Sequence, residues 1–306
     1  MLKVSIGIPV YNSSKYIIST LESVKNQDYA TIELLIYDDF STDQSFNIIA
    51  NWLSNNSHRF TNVFFEKGNI NKGVSFAGHL LLKNSTGNYF QLLGADDILM
   101  KSKISNQVLF LQQNDHFSMV YSNAYRIDKL GNRLDKNYFE YQQFKSIDSG
   151  VGPSGNLYNN LIYENFIPAP SFLAIRNELI NIGGYDTELR IEDWDLWLRL
   201  SKKYQIGFID SIEVEYRIHD KQTIHNKVYL SSIFQSYLIM INKHYGFNSE
   251  NDIVLRSHFH KYAIGMYRYG DTNLKYLFRN FLLNKSLKSL LYFFFGILRL
   301  KFNQVK

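Results

Sequence analysis

The segment Tyr89 to Leu99 constrains the fold most, because an apolar run through Tyr89-Phe90-Gln91-Leu92-Leu93 halts at two adjacent carboxylates, Asp96 and Asp97. A strand buried on both faces reads as a continuous apolar run, and in open parallel sheets ligands bind beyond the carboxyl ends of the strands. Paired anionic oxygens at such an end can hold a hard cation such as Mg or Mn, with a substrate diphosphate completing its shell. The same pair also suits a solvated turn ahead of a helix beginning near Lys103.

The preceding chain repeats the pattern. Val4–Val10 reads as a buried strand and Lys15–Asn26 as a helix with Ile17, Ile18, Leu21 and Val24 on one face, capped from Asn12, Ser13 and Ser14. Ile32–Tyr37 is a second strand ending at Asp38 and Asp39, followed by a helix over Ser41–Ser54. A third strand, Asn62–Phe65, and a helix, Val74–Lys83, follow across the loop Asn69–Gly73. Repeated strand and helix predict an α/β protein with a parallel sheet.

Beyond the carboxylates, a helix over Ile104–Gln113, a short strand at Ser118–Ser122 and a hairpin-like turn at Lys129–Arg133 are expected. Asp135–Asn156 lacks periodicity and suits either a mobile loop over a substrate site or an ordinary surface insertion. Ser171–Ile175 reads as a strand, Gly183-Gly184 as a helix break, and Ile191–Tyr204 as a helix. Two separate strands, Ile206–Ile209 and Val214–Ile218, complete this part.

No Gly-x-Gly-x-x-Gly follows the first strand and no Walker-type phosphate loop occurs, which argues against the usual dinucleotide and P-loop enzymes. With no cysteine among 306 residues, disulfides and thiolate metal sites are excluded and a reducing compartment is the natural reading. The N-terminus shows no secretory pattern, so a cytoplasmic location is expected.

Charge divides the chain. Residues 226–306 hold 12 Lys or Arg against 3 Asp or Glu, whereas residues 1–225 hold 21 against 25. No acidic residue follows Asp271, while Lys275, Arg279, Lys285, Lys288, Arg299, Lys301 and Lys306 lie among Leu, Phe and Tyr. A body over 1–225 and a basic helical tail over 226–306 are expected, the tail either an interfacial helix on an anionic membrane or a packed helical subdomain. Nucleic acid is not an expected partner, since no binding module accompanies the charge.

Val4–Asn12, Ile36–Asp43, Asn71-Lys72-Gly73, Gly94–Asp97, Gly183–Asp186 and Glu192–Arg199 together resemble the ordered motif set of family 2 glycosyltransferases over roughly residues 3 to 220. The resemblance implies the GT-A fold, a mostly parallel central sheet flanked by helices, and inverting transfer of a sugar from a nucleoside diphosphate. A UDP-sugar is the expected donor and a glycan or lipid-linked sugar the acceptor, as in assembly of O-antigen, capsule or another surface polysaccharide. It further implies a divalent metal, Mn or Mg.

Residue by residue, Pro9, Tyr11, Asn12, Asp39, Lys72, Gly73 and Asp96 match nucleotide-binding positions, with Tyr11 stacking on the base or else packing in the core. Asp96, Asp97 and His219 match metal positions, although a lone histidine at a strand end can equally be structural. Asp193 matches the catalytic base, with Glu192 in reserve, while Asp195 is expected simply to pair with Arg199 at i,i+4. Two residues depart from the pattern: Gly94 stands where many relatives carry a first Asp, and Phe40 replaces a common glycine after Asp39. A nucleotidylyltransferase-like enzyme and a non-catalytic nucleotide-sugar module are the rival readings; the first lacks its phosphate loop here, and retention of Asp96 and Asp193 argues against the second.

Overall fold

The computed structural model describes residues 1–220 and 229–303, so the expected boundary between 225 and 226 and the last basic residue, Lys306, lie outside the described residues. Strand and helix alternate through β1 (Val4–Val10), α1 (Ile17–Lys25), β2 (Ile32–Asp38), α2 (Ser45–Asn56), β3 (Asn62–Lys67), α3 (Val74–Asn84) and β4 (Tyr89–Leu92). There follow β5 (Ile98–Leu99), α4 (Lys103–Gln113), β6 (Phe117–Ile127), α5 (Tyr138–Gln142), α6 (Tyr158–Tyr163), β7 (Leu173–Ile175), α7 (Arg176–Asn181), α8 (Asp193–Ser201) and β8 (Gln205–Arg217). The tail carries α9 (Leu230–His244), α10 (Ser249–Arg268), α11 (Leu274–Asn284) and α12 (Leu287–Asn303).

The described strands form one sheet ordered β3-β2-β1-β4-β7-β6-β8-β5. β3, β2, β1 and β4 are mutually parallel, so the ends of β1, β2 and β4 fall on one edge. Every residue of β2 and β4 is buried, as their apolar runs require of strands covered on both faces. Lys103 is fully buried beneath this edge, its ammonium donating to Gln91 Oε1, Gln107 Oε1 and the Phe172 carbonyl at 2.6, 2.7 and 3.0 Å. Desolvation drives its pKa well below the usual lysine range, the cost of tying α4 to β4.

Four local expectations are corrected. The strands foreseen at Ile206–Ile209 and Val214–Ile218 are one strand, β8, which bulges where Tyr121 faces Phe208 but Asn123 faces Ile212. β6 runs well past Ser122, because β8 continues beside it to Arg217. α2 begins at Ser45 rather than Ser41, because Asp43 Oδ1 accepts from the Ser45 amide and hydroxyl and holds the preceding residues in a loop. Asn12, Ser13 and Ser14 do not cap α1 with their side chains; their backbone amides instead donate to Ser41 Oγ, Ser45 Oγ and Asp43 Oδ2 at 2.9, 2.8 and 3.1 Å. The loops after β1 and β2 are thereby laced together.

The chain divides into two compact units, Met1–Thr187 with Glu192–His219, and Glu188–Ile191 with Asp220–Lys306. Within the second, the tail forms a helical array rather than one isolated helix, and α11 and α12 pack closely at Gly296, where a Cβ would come within 2.7 Å of Leu277 and 3.0 Å of Leu274. Phe278 and Leu282 on α11, and Leu287, Leu291, Phe294, Phe295 and Leu298 on α12, stay exposed. The α12 residues recur at helical spacing and so form one stripe.

Candidate active site

The first group lies where β1 and β2 end. Asp39, at the exit of β2, is buried and accepts from the backbone amides of Lys72 and Gly73 at 2.8 and 2.6 Å, pinning the loop that opens α3. Gly73 takes φ +92, a conformation only glycine adopts without strain. Asn12 and Phe40 also take positive φ, +50 and +66, so the turn after Asp39 keeps a glycine-like geometry with a bulky side chain at a cost of about 1–2 kcal/mol. The Asn12 carboxamide oxygen accepts from the Thr42 and Asp43 amides at 2.9 and 3.3 Å, so it organises this edge itself. Tyr11 is 41% exposed and Phe40 44%, which removes core packing as the explanation of Tyr11. Pro9 sits in β1 opposite Tyr37, while the Lys72 ammonium lies 4.2 Å from the centre of the Phe76 ring.

The second group forms where β4 gives way to a turn closed by the Asp97 amide on the Gly94 carbonyl. Asp96 and Asp97 diverge there. Asp96 Oδ2 lies 2.9 Å from His219 Nε2, and the His219 ring packs on Tyr16 with centroids 4.9 Å apart. Asp97 turns inward, is buried, and accepts from the Arg217 amide at 3.0 Å. Burial first, and then the Asp96 charge, raises its pKa well above the usual carboxylate range. The Arg217 guanidinium donates to the Asp96 and Asp128 carbonyls at 2.8 and 3.1 Å and clamps the turn onto the end of β8. Gly94 belongs to the same arrangement, since a Cβ there would lie 2.8 Å from Asp97 Oδ2 and 2.9 Å from Asp96 Oδ1. A longer side chain at 94, such as Asp, would displace both carboxylates.

A metal can be tested against these donors. Two ligands in cis positions about 2.1 Å from one ion stand about 3 Å apart, which the Asp96–His219 spacing matches, and Mn accepts carboxylate oxygen and imidazole nitrogen together. Asp97 faces the Arg217 amide instead, and no set of three His, Cys, Asp or Glu side chains suited to a metal occurs among the described residues. Of the expected metal residues, Asp96 and His219 are the two whose spacing could hold a cation together.

The third group opens α8. Asp193 is the first residue of that helix, where the N-terminal dipole favours an anion, and its oxygens accept from the Trp194 amide at 2.6 Å and from Asn165 Nδ2 at 2.9 Å. Burial raises the pKa of Asp193, and burial together with the Asp193 charge pushes Glu192 up to about 8. The two carboxyls titrate as a pair. Hydrogen bonds from the Trp194 amide and Asn165 favour the Asp193 anion against its burial. Asp195 is buried and binds Arg199 Nε at 2.7 Å, and that guanidinium also donates to the Ile182 and Gly184 carbonyls at 2.8 and 2.7 Å. Its part is to hold the Gly183-Gly184 turn against α8.

Three further side chains belong with these groups and were not singled out by the sequence. Asn165 orients Asp193 across 28 positions of chain. Tyr138 and Tyr216 meet edge to face, with centroids 5.7 Å apart and an interplanar angle of 80°. The Asp193 charge reaches both phenols, and those of Asp96 and Asp97 reach Tyr216.

A family model described as "Glycosyl transferase family 2" matches residues 5–180. WfaP of Escherichia coli, named as a UDP-Glc:alpha-D-GlcNAc-diphosphoundecaprenol beta-1,3-glucosyltransferase, is 32% identical over 225 residues, covering 73% of this chain and 80% of WfaP. An uncharacterized glycosyltransferase of Rickettsia felis is 30% identical over 217 residues, 71% of this chain; the match spans only 33% of that relative's length. Among solved structures, S. aureus TarS 1-349 in complex with UDP-GlcNAc superposes with a TM-score of 0.64 at 17% identity, covering 96% of this chain and 79% of TarS 1-349. Mannosyltransferase PcManGT from Pyrobaculum calidifontis, in complex with GDP-Man and Mn2+, gives 0.63 at 14%, covering 97% and 79%. These structural likenesses show the GT-A fold expected for the chain, with helices at its C-terminus. By the span of the family match and the likeness to WfaP, the chain belongs to glycosyl transferase family 2.

Proposed function

We propose that this chain is an inverting transferase that moves a sugar from a nucleoside diphosphate, with UDP the expected nucleotide, to an acceptor hydroxyl in surface-polysaccharide assembly. One observation carries the reading: Asp96, paired with His219, and Asp193, at the start of α8, are both close enough to bear on the Tyr216 phenol, which puts a candidate cation site and a candidate base around one space. Asp39 with the Lys72-Gly73 amides, and the exposed Tyr11 ring beyond β1, form the nucleotide end, with Pro9 and Asn12 shaping its wall.

A divalent cation bound by Asp96 and His219 would neutralise the charge that develops on the departing diphosphate. Asp193 takes the proton of the attacking hydroxyl, and its raised pKa makes it a stronger base than an ordinary carboxylate. Glu192 lacks the hydrogen bonds that Asn165 and the Trp194 amide give Asp193, so Asp193 is the better-oriented base. Asn165 and the Trp194 amide hold the carboxylate in place.

The printed name of WfaP supports a lipid-diphosphate-linked acceptor, as in lipopolysaccharide assembly. The division into a body over 1–225 and a tail over 226–306 belongs to this reading, with the exposed α12 stripe and the basic residues around it resting on the cytoplasmic leaflet of an anionic membrane. Among the described residues no helix is long and apolar enough to cross a membrane.

The test is release of UDP from UDP-glucose with Mn and a diphospholipid-linked N-acetylglucosamine acceptor. Transfer that needs both acceptor and cation supports the reading. If UDP neither binds nor is released, with any UDP-sugar tried, the chain is not this enzyme.

A further inference from the structure

β5, β8 and α5 bring Tyr216 and Tyr138 together beside the turn after β4. β5 pairs antiparallel with β8, with Ile98 opposite Glu215 and Leu99 opposite Val214; continuing that register one residue places Asp97 opposite Tyr216. Arg217, the next residue, binds this turn through both its amide and its guanidinium, so the backbone position of Tyr216 is fixed relative to Asp96. Tyr138 reaches the same place from α5. The capping box of Asn137 and Glu140 starts that helix, and the Phe139 amide is anchored on Asn123 Oδ1 at 3.3 Å, with the Phe139 ring buried.

We propose that Tyr216, braced edge-on by Tyr138, is a specificity-determining residue for the transferred sugar, its phenol donating a hydrogen bond to a hydroxyl of the sugar ring. This rests on the transferase reading above. In an inverting displacement the reacting carbon lies between leaving group and base, so the sugar ring occupies the space between the Asp96 turn and Asp193. Tyr216 adjoins the first of these through Arg217 and packs against Tyr138, which lies in the field of the second.

Two observations aim the hydroxyls at a ligand. Both rings are half-buried, and neither hydroxyl hydrogen-bonds to a described residue, so each can exchange water for a ligand hydroxyl. A phenol carries its proton near neutrality, so the Tyr216 hydroxyl can act as a donor. A site built to hydrogen-bond one sugar hydroxyl rejects the analogue that lacks it, because its own polar group is then left unpaired. The segment from Asp135 to Asn156 thus supplies at least one wall of the sugar site through Tyr138.

The experiment compares binding of UDP, UDP-glucose, UDP-galactose and UDP-N-acetylglucosamine to the full chain with Mn, by calorimetry, for wild type, Tyr216→Phe and Tyr138→Phe. Each substitution removes one oxygen and keeps the ring, and an unchanged Tm confirms the fold. In Tyr216→Phe the affinity for UDP should stay within about twofold of wild type, while the advantage of the preferred UDP-sugar over UDP falls by about fivefold or more, the scale of one neutral hydrogen bond. Discrimination among the three sugars should narrow with it. An undiminished sugar advantage in Tyr216→Phe, with UDP still binding, overturns this inference alone. Failure of wild type to bind UDP or any of the sugars overturns the transferase reading and the inference with it.

Discussion

His219 Nε2 stands 2.9 Å from Asp96 Oδ2 although 123 positions of sequence separate the two residues. The contact exists because β8 ends beside the turn after β4, held there by Arg217. If the pair holds a cation, His219→Ala should raise the Mn concentration needed for half-maximal activity by at least the ~10–100-fold typical of losing a supporting group at a metal site. A titration of activity against Mn measures this; an unchanged half-saturation point would reduce His219 to a structural partner.

Gly94 yields a steric prediction. A Cβ at this position would meet both carboxylates below 3 Å, so Gly94→Ala should displace Asp96 and cost about 1–3 kcal/mol of stability. Urea denaturation and the Mn titration should both report the change. Wild-type values in both would show that the turn has room to relax.

Glu192 makes stability depend on pH. Burial and the Asp193 charge raise its pKa from 4.5 to about 8, so the folded chain keeps a proton that the unfolded chain releases between those values. Unfolding free energy from this group therefore falls as pH rises through that window. Glu192→Gln should flatten the decline, giving the variant its largest relative stabilisation above pH 8. Denaturant midpoints at pH 5, 6.5 and 8.5 provide the comparison, and parallel slopes in the two proteins would contradict the assignment.

The tail is tested by flotation with vesicles containing about a third anionic lipid. Wild type should float, and Leu291→Glu with Phe294→Glu, which places charge in the exposed stripe of α12, should not. Equal flotation of both proteins would reject this stripe as the contact surface.

Much of this arrangement was legible in the sequence because the first half of the chain alternates strand and helix with little interruption. β1 and the start of α3 fall where the apolar spacing puts them, while α8 spans Asp193–Ser201 within the expected Ile191–Tyr204. The i,i+4 pairing of Asp195 with Arg199 was also readable, because helical geometry alone decides it. Where contacts join distant segments, the sequence was mute. The inward turn of Asp97 depends on the Arg217 amide 120 residues away, so two adjacent carboxylates that look equivalent in sequence take different environments. β8 reads as two strands because its bulge interrupts the alternation, and only its pairing with β6 shows it continuous. Asn165, Tyr138 and Tyr216 belong to no spacing pattern. Tyr216 does adjoin the Arg217-Ile218-His219 segment, and that proximity was the one available signal.

The central claim is that Asp193 accepts the proton of the attacking hydroxyl, and Asp193→Asn tests it most directly by removing the base while keeping the shape of the side chain. Steady-state transfer and calorimetric binding of the preferred UDP-sugar should be measured on the same preparation. The account predicts a turnover lower by about 10² or more, with donor affinity within about twofold of wild type. Turnover close to wild type, or a loss explained by weaker donor binding, would contradict it.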